Sequence, residues 1–279
     1  MKKKAIAELL SAEGIDLFSF LSLSECRITK KYLLDRIGIA EGSVIVMAVP
    51  YACDGIGGGN ISEYAKSRDY HLFFSQLFSR LTTALKSKFP ENNFFGFADH
   101  SPIDERHAAA LAGLGVIGKN RLLLTEKYSS FVFLGEVITD LPLDSEAGEI
   151  GYCHGCDACQ AACPVSFEGV SACLSAVTQK KGELDPNQSS LIRSSGCAWG
   201  CDACQLACPY TRRAIERGTI FTPIPFFTED RIDTLSLSRL AHMSDGEFAE
   251  RAYSWRGRET VARNLSLLES DPTKDTLKP

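Results

Sequence analysis

No window of the 279 residues comes near eighteen consecutive apolar positions, which excludes a transmembrane helix. The opening MKKKAIAELL places charge before an apolar run, but the run is short. Glu8 and Glu13 give it the pattern of an amphipathic helix, so no secretory leader is expected and the protein is expected in the cytoplasm. Basic excess is also missing. With a formal net charge of −5, the chain has no global pull toward nucleic acid, and any RNA contact has to use a local basic patch. The glycine-rich stretch Asp54–Asn60 (DGIGGGN) lacks the Gly-Lys-Ser/Thr ending of a phosphate-cradling loop and reads as a mobile loop. No long-period internal similarity is present, which excludes a solenoid. Disorder is excluded too, because 44% of the residues are hydrophobic and only 23% charged. The length suits one large or two modest domains.

What the chain has in unusual supply is cysteine, eleven in all. Nine fall between Gly151 and Tyr210. The first block, GYCHGCDACQAACPV, spaces them as Cys153-x2-Cys156-x2-Cys159-x3-Cys163-Pro164. The second, GCAWGCDACQLACPY, spaces them as Cys197-x3-Cys201-x2-Cys204-x3-Cys208-Pro209. The run C-x2-C-x2-C-x3-C-P holds the clusters of two-cluster ferredoxins, the fourth cysteine of each run serving the other cluster. Proline after the last cysteine ends the curl, because it fixes φ and has no N–H. Two such blocks point to two [4Fe–4S] clusters. A disulfide framework belongs to small exported domains. Zinc needs four ligands per site and often mixes in histidine, so paired blocks of this kind exceed its requirement. His154 reads as a surface or supporting residue, and Cys26 and Cys53 as buried or incidental thiols.

Taken in order, residues 2–14 read as a helix and Ile15–Leu23 as a short strand. Ser43–Val49 (SVIVMAV) reads as a buried strand ended by Pro50. Ile61–Lys88 has helical spacing throughout, Phe94–Ala98 is a strand delivering Asp99, Ile103–Leu114 a helix, and Phe131–Thr139 another strand. Helix and strand alternate up to about residue 145, the mark of an α/β or α+β layered domain. Helices over Asp230–Leu240 and Asp245–Leu268 close the chain.

Several stretches together resemble one family, the epoxyqueuosine reductases. They are SEYAKSRDYHLFF (Ser62–Phe74), ADHSPIDERHAAALAGLGVIGKNRLLL (Ala98–Leu124), FLGEVITDLPL (Phe133–Leu143), the two cysteine blocks, and more weakly EFAERAYSWRGRETVARNLSLL (Glu247–Leu268). The match runs in order over nearly the whole chain, and its middle stretch is more specific than the cysteine motif. The resemblance implies an α+β protein in three segments. Residues 1–145 would form an α/β cobalamin-binding-type domain, 146–215 a ferredoxin-like double [4Fe–4S] domain, and 216–279 a helical tail. Typical members continue into helical repeats that help hold tRNA, so a short form lacking them is expected.

The activity implied is reduction of the epoxide of epoxyqueuosine in tRNA to the alkene, by a monomer. Electrons would come from an external donor such as ferredoxin or flavodoxin, through two clusters, to cobalamin. The departing oxygen needs a proton, and the family's acid falls on Asp99 in Asp99-His100-Ser101-Pro102. A carboxylic acid suits that task if burial raises its pKa. From the residues alone, Asp99 reads equally as a helix N-cap. His100 stands where the family usually has a small hydroxyl residue; it either relays a proton or points to solvent, and the solvent reading is preferred. The family's pocket motif falls on Arg68, Asp69, Tyr70 and His71. By resemblance the corrin pocket is also lined by Gly113, Gly115, Ile117, Gly118, Lys119 and Asn120, a run that otherwise reads as a glycine-mediated helix-to-strand turn. Glu136, among apolar neighbours, must be paired or protonated if buried.

For the clusters, Cys153, Cys156, Cys159 and Cys208 are assigned to one, and Cys163, Cys201 and Cys204 to the other. Ferredoxin spacing favours Cys197 as the eighth ligand. The context of Cys173 (SACLSAVTQKKGEL) resembles the family segment that supplies it, and Cys173 is the assignment taken. Local basic clusters are Lys180–Lys181, Arg212–Arg213 and Arg256–Arg258; the last two either serve an anticodon loop or are solvated faces. Two other readings remain at this stage: a corrinoid-dependent reductase of a small molecule, and a ferredoxin-type electron-transfer protein without cobalamin.

Overall fold

The computed structural model describes residues 1–167 and 172–270, so Ser171 and positions 271–279 of the expected tail lie outside the described residues. The chain divides into two units that interleave along the sequence. Met1–Tyr51, Tyr70–Cys156 and Tyr210–Ile224 form the first; Ala52–Asp69, Asp157–Pro209 and the chain from Pro225 form the second. These boundaries cut across the consecutive segments 1–145, 146–215 and 216–279, because packing groups whichever apolar faces meet, whatever their order in the chain. Among the described residues no helix is long and apolar enough to cross a membrane.

The first unit opens with helix α1 (Lys2–Ala12), strand β1 (Phe18–Ser22), helix α2 (Lys31–Ile37) and strand β2 (Ser43–Pro50). It continues with helix α3 (Tyr70–Lys88), strand β3 (Phe94–Phe97), helix α4 (Glu105–Leu111), a hairpin of β4 (Val116–Ile117) and β5 (Leu123–Leu124), and strand β6 (Val132–Thr139). Four strands pair in the order β1-β2-β6-β3, all antiparallel. The alternation of helix and strand therefore resolves as α+β. Every residue of β2 is buried, as a strand covered on both faces must be. On one face α3 comes close at two glycines. A Cβ at Gly135 would stand 2.4 Å from the Phe74 ring, and one at Gly96 2.1 Å from that of Phe78. On the other face, Ala108–Ala110 of α4 share a core with Val44, Val46 and Ile138.

The second unit carries α5 (Ala158–Ala161), α6 (Leu174–Thr178), α7 (Pro186–Ser195) and α8 (Ala203–Leu206). After α9 (Pro209–Glu216), which returns to the first unit, come α10 (Pro225–Thr228), α11 (Leu237–His242), α12 (Asp245–Ala249) and α13 (Arg258–Glu269). Its core gathers Trp199, Ile192, Tyr253, Val261 and Leu265. Buried Asn264 of α13 donates from Nδ2 to the carbonyls of Thr178 (2.7 Å) and Ala198 (2.8 Å), tying the last helix to the second cysteine block.

Four sequence expectations change. The helix expected over Asp230–Leu240 starts only at Leu237, where Ser236 caps it by accepting the Arg239 N–H at 3.1 Å. The helix expected from Ile61 begins at Tyr70, because Ile61–Asp69 belongs to the second unit, where Ile61 bridges Trp199 and Glu63 and Lys66 form a buried ion pair at 2.7 Å. The closing helix expected over Asp245–Leu268 is interrupted at Gly257, whose φ of +88° no helix interior adopts. The loop Asp54–Asn60 is pinned at its end. Asn60 exchanges side-chain hydrogen bonds with the Leu235 backbone at 2.7 and 2.8 Å, and a Cβ on Gly59 would collide with the Asp233 carbonyl.

Candidate active site and cysteine centres

Asp99 follows β3 in the left-handed conformation, φ +62°. This is not the geometry of a helix cap, and the cap of α4 is Asp104, whose Oδ1 accepts the His107 N–H at 3.2 Å. Asp99 is thereby left for other contacts. Tyr70 donates its hydroxyl to Asp99 Oδ2, and His71 Nε2 stands 3.3 Å from the same oxygen. The two aromatic residues open α3, where their rings stack at 4.2 Å between centroids. Tyr70 also stacks on Phe133 of β6, again at 4.2 Å. An aromatic wall therefore fixes the donors that face a half-exposed carboxyl.

Burial pushes the Asp99 carboxyl up, but the hydrogen bonds of His71 and Tyr70 and the charges of His71 and Lys30 outweigh it. The group sits below the ordinary carboxylate value. The raised acid expected from burial is therefore not what the structure holds; the transferable protons are on the partners of Asp99.

Behind Asp99 lie two carboxyls that do carry raised values. The Asp99 N–H donates to Glu105 Oε1 at 2.8 Å, which holds the left-handed turn in place. Burial, then the charge of Asp99, pushes Glu105 up to about 7. Glu136, at the centre of β6 between Val46 and Phe97, is fully buried. Neither of its oxygens has a hydrogen-bond partner. Burial first and the charge of Glu105 second hold it well above the ordinary value, the direction of a protonated carboxyl, with Ser101 and Glu105 as its polar neighbours. Glu105 was not singled out from the sequence; its position at the start of a helix reads there as ordinary dipole complementarity.

His100 is exposed but engaged. Tyr32 Oη lies 2.9 Å from Nε2 and Lys30 Nζ 3.4 Å from Nδ1. An ammonium only donates, so Nδ1 accepts and the neutral ring carries its proton on Nε2. This ring does not simply point to solvent.

The glycine run has a local explanation. Gly113 (φ +76°) ends α4, and a Cβ on Gly115 would stand 2.5 Å from the Leu124 carbonyl across the hairpin. A Cβ on Gly118 would stand 2.3 Å from Asn120 Oδ1, which itself accepts the Leu122 N–H at 3.2 Å. The close approaches at Gly115 and Gly118 are to the protein's own Leu124 carbonyl and Asn120 side chain, so they offer no separate observation of a corrin cradle. The same run does reach a cysteine. Ile117 exchanges backbone hydrogen bonds with Gly151 and Cys153 at 2.9 and 3.1 Å, and the Lys119 N–H donates to Cys153 Sγ at 3.2 Å. Arg68 and Asp69 fall in the second unit, away from Tyr70 and His71 in the division of the chain. There the Arg68 guanidinium lies 4.5 Å from the Phe226 ring centre and 3.8 Å from Asp230, and the Asp69 N–H donates to the Glu250 carbonyl at 2.7 Å.

Of the nine cysteines, Cys153 and Cys156 belong to the first unit and the rest to the second. In the second, Cys159 and Cys204 ride on the short helices α5 and α8, which pack on each other. Burial raises the Cys201 thiol, and Cys173 and Cys163 both lie near enough to raise it further by charge. Cys197 also lies near Cys201; its thiol donates to the carbonyls of Trp199 (3.4 Å) and Gly200 (3.3 Å), and burial first, with the charge of Cys201 adding to it, pushes it up to about 12. Asp202, between two of the cysteines, accepts the Glu63 N–H at 2.6 Å and the Ser62 hydroxyl. Among the described residues no three histidine, cysteine or carboxylate groups are gathered tightly enough for one metal ion. An all-thiol donor set spread over Cys163, Cys173 and Cys201 suits a cluster, whose ligands each take a different iron. Cys26 and Cys53 are buried elsewhere, and burial, then Glu25 and Glu136, pushes Cys26 up to about 12, so its thiol is inert.

No family model matches the chain. Among curated proteins, the epoxyqueuosine reductase of Gloeobacter violaceus is 32% identical over 198 residues, covering 69% of this chain and 62% of that protein. That of Listeria monocytogenes is 29% identical over 281 residues, covering 93% of this chain and 72% of the relative.

The chain is similar to epoxyqueuosine reductases over most of its length.

A crystal structure of an epoxyqueuosine reductase with an epoxyqueuosine-modified tRNA-Tyr stem loop superposes with a TM-score of 0.76, covering 95% of this chain and 80% of that one. At 24% identity this is a likeness of fold. The chain spans less than two thirds of the Gloeobacter epoxyqueuosine reductase.

Proposed function

We propose that this protein reduces the epoxide of epoxyqueuosine in tRNA to the alkene of queuosine. The net change takes two electrons and two protons and releases the epoxide oxygen as water. When bound, two [4Fe–4S] clusters supply one-electron steps, and cobalamin supplies a strongly reducing cobalt centre. Cys153, Cys156, Cys159 and Cys208 hold one cluster, and Cys163, Cys173, Cys201 and Cys204 the other. Cys173 is taken as the eighth ligand; Cys163 and Cys173 lie near Cys201, and Cys197, also near Cys201, has its thiol engaged by the Trp199 and Gly200 carbonyls. Cobalamin and substrate go with residues 1–145, through Arg68, Asp69, Tyr70, His71, Gly113, Gly115, Ile117, Gly118, Lys119 and Asn120. The clusters go with a ferredoxin-like segment, 146–215. The electron donor is an external ferredoxin or flavodoxin, and the enzyme acts as a cytoplasmic monomer.

The observation that carries the reading is the Asp99 carboxyl gripped by Tyr70 and His71 in a half-exposed position. The carboxyl orients a proton held on His71 Nε2 or the Tyr70 hydroxyl, and passes it to the departing oxygen as charge develops there. Complementation of a queuosine-deficient cell tests this. Wild type should restore queuosine, and Asp99→Ala should not while keeping its iron. Restoration by both would remove Asp99 from the chemistry; a soluble, iron-loaded wild type that restores nothing would remove the substrate.

A further inference from the structure

The second unit holds a basic cavity of about 570 Å³ that takes no part in the arrangement above. Its lining carries Lys181, Arg256, Arg258 and Arg263 against one acid, Glu259, in a chain whose net charge is −5. The volume is that of a small-molecule site, room for one nucleotide.

Two of the cations build the walls. Arg258 donates to the Leu240 carbonyl at 2.6 Å and to Asp245 at 3.1 Å, with its guanidinium 4.4 Å from the Phe248 ring centre. Arg263 donates to the carbonyls of Lys180 (2.8 Å) and Gly182, which fixes the loop that presents Lys181. The other two are free to act on a ligand. Neither Lys181 nor Arg256 makes an ion pair among the described residues, and Arg256 Nε is buried without a hydrogen-bond partner. The Arg256 guanidinium lies 3.8 Å from the ring centre of Trp255, whose surface remains 56% exposed. A solvent-facing indole of this size, stacked on an arginine at the rim of a cationic cavity, has the makings of a base-stacking platform beside a phosphate site.

We propose that this cavity binds a phosphate of single-stranded RNA through Lys181 and Arg256, with a neighbouring base on Trp255. The proposal rests on the tRNA reading above and assigns a surface to it. Free anions satisfy the cavity's charge but not the indole, so RNA is the occupant argued.

The test is fluorescence-anisotropy binding of a tRNA anticodon stem-loop to the iron-loaded full chain over a salt series, with a nucleoside monophosphate as a second ligand. Because Lys181 and Arg256 share one single-strand phosphate, Lys181→Ala/Arg256→Ala should lower the slope of log K against log salt by about 0.7. Trp255→Ala should weaken binding roughly 5- to 150-fold with the slope unchanged. Lys31→Ala, removing an exposed charge on α2, should leave stem-loop affinity as in wild type. Iron content equal to wild type certifies the variants' fold. If the variants bind the stem-loop as wild type does, the surface is wrong while the tRNA reading stands. If they lose only the monophosphate, the cavity takes a small anion and the proposal falls. If wild type itself does not bind the stem-loop, the tRNA reading falls with it.

Discussion

Glu136 is a carboxyl sealed inside β6 without a hydrogen bond, and its protonation should be visible as a pH dependence of stability. Its native value lies well above 4.5, the ordinary one, so the native chain keeps a proton that the unfolded chain releases. The stability this group permits is therefore complete below pH 4.5 and is lost as pH rises toward the native value. Between the unfolded and native values one such carboxyl costs the folded state about 1.4 kcal/mol per pH unit. With about 2 cal/mol/K of unfolding entropy per residue, each such pH unit lowers Tm by roughly 2–3 °C. Glu136→Gln keeps the shape and removes the titration. Any fixed cost of burying the amide is the same at both pH values, so the quantity to read is the change in the Tm difference. Calorimetry of anaerobic wild type and Glu136→Gln at pH 5 and pH 7 should show the variant gaining on wild type by that amount per pH unit. Parallel pH profiles would refute the argument, because they would mean that Glu136 is ionised, or relaxed to solvent, in the native state.

Other consequences are as direct. Cys173→Ser should lose about half the cluster iron and the matching electron paramagnetic resonance signal, whereas Cys197→Ser should keep both; the reverse pattern would make Cys197 the ligand. Asn264→Ala leaves the Thr178 and Ala198 carbonyls without their donor inside the second core, and denaturant titration should show a loss of about 2–3 kcal/mol. Glu63→Ala takes the carboxylate from both buried Lys66 (2.7 Å) and Arg231 (2.9 Å), leaving Lys66 with Asp233 at 3.8 Å, and should cost about 3–5 kcal/mol in a denaturant titration.

Legibility in the sequence followed the strength of local physics. Ser43–Pro50 was readable because a strand covered on both faces must be apolar throughout. The boundary at Tyr70 was not. Ile61–Asp69 has helical spacing, yet Trp199 and the Glu63–Lys66 pair claim it for the other unit, a long-range choice invisible in a window of residues. Gly115 and Gly118, read as lining a ligand, also make room for the Leu124 carbonyl and the Asn120 side chain. At Asp99 the sequence located the residue but misjudged its ionisation, since the partners that lower it sit on α3, some thirty positions upstream. Glu105 was missed for a related reason: its partner is a backbone N–H in a turn whose left-handed twist no pattern announces.

The account stands most squarely on a group at Asp99 that delivers a proton to an epoxide oxygen. The direct measurement is nucleoside analysis of epoxyqueuosine-containing tRNA after anaerobic incubation with the iron-loaded chain, cobalamin and a low-potential reductant. Wild type should convert epoxyqueuosine to queuosine, and Asp99→Asn should convert none while retaining wild-type iron and corrinoid. Wild type that holds both cofactors yet leaves the epoxide intact, or Asp99→Asn that turns over like wild type, would contradict it.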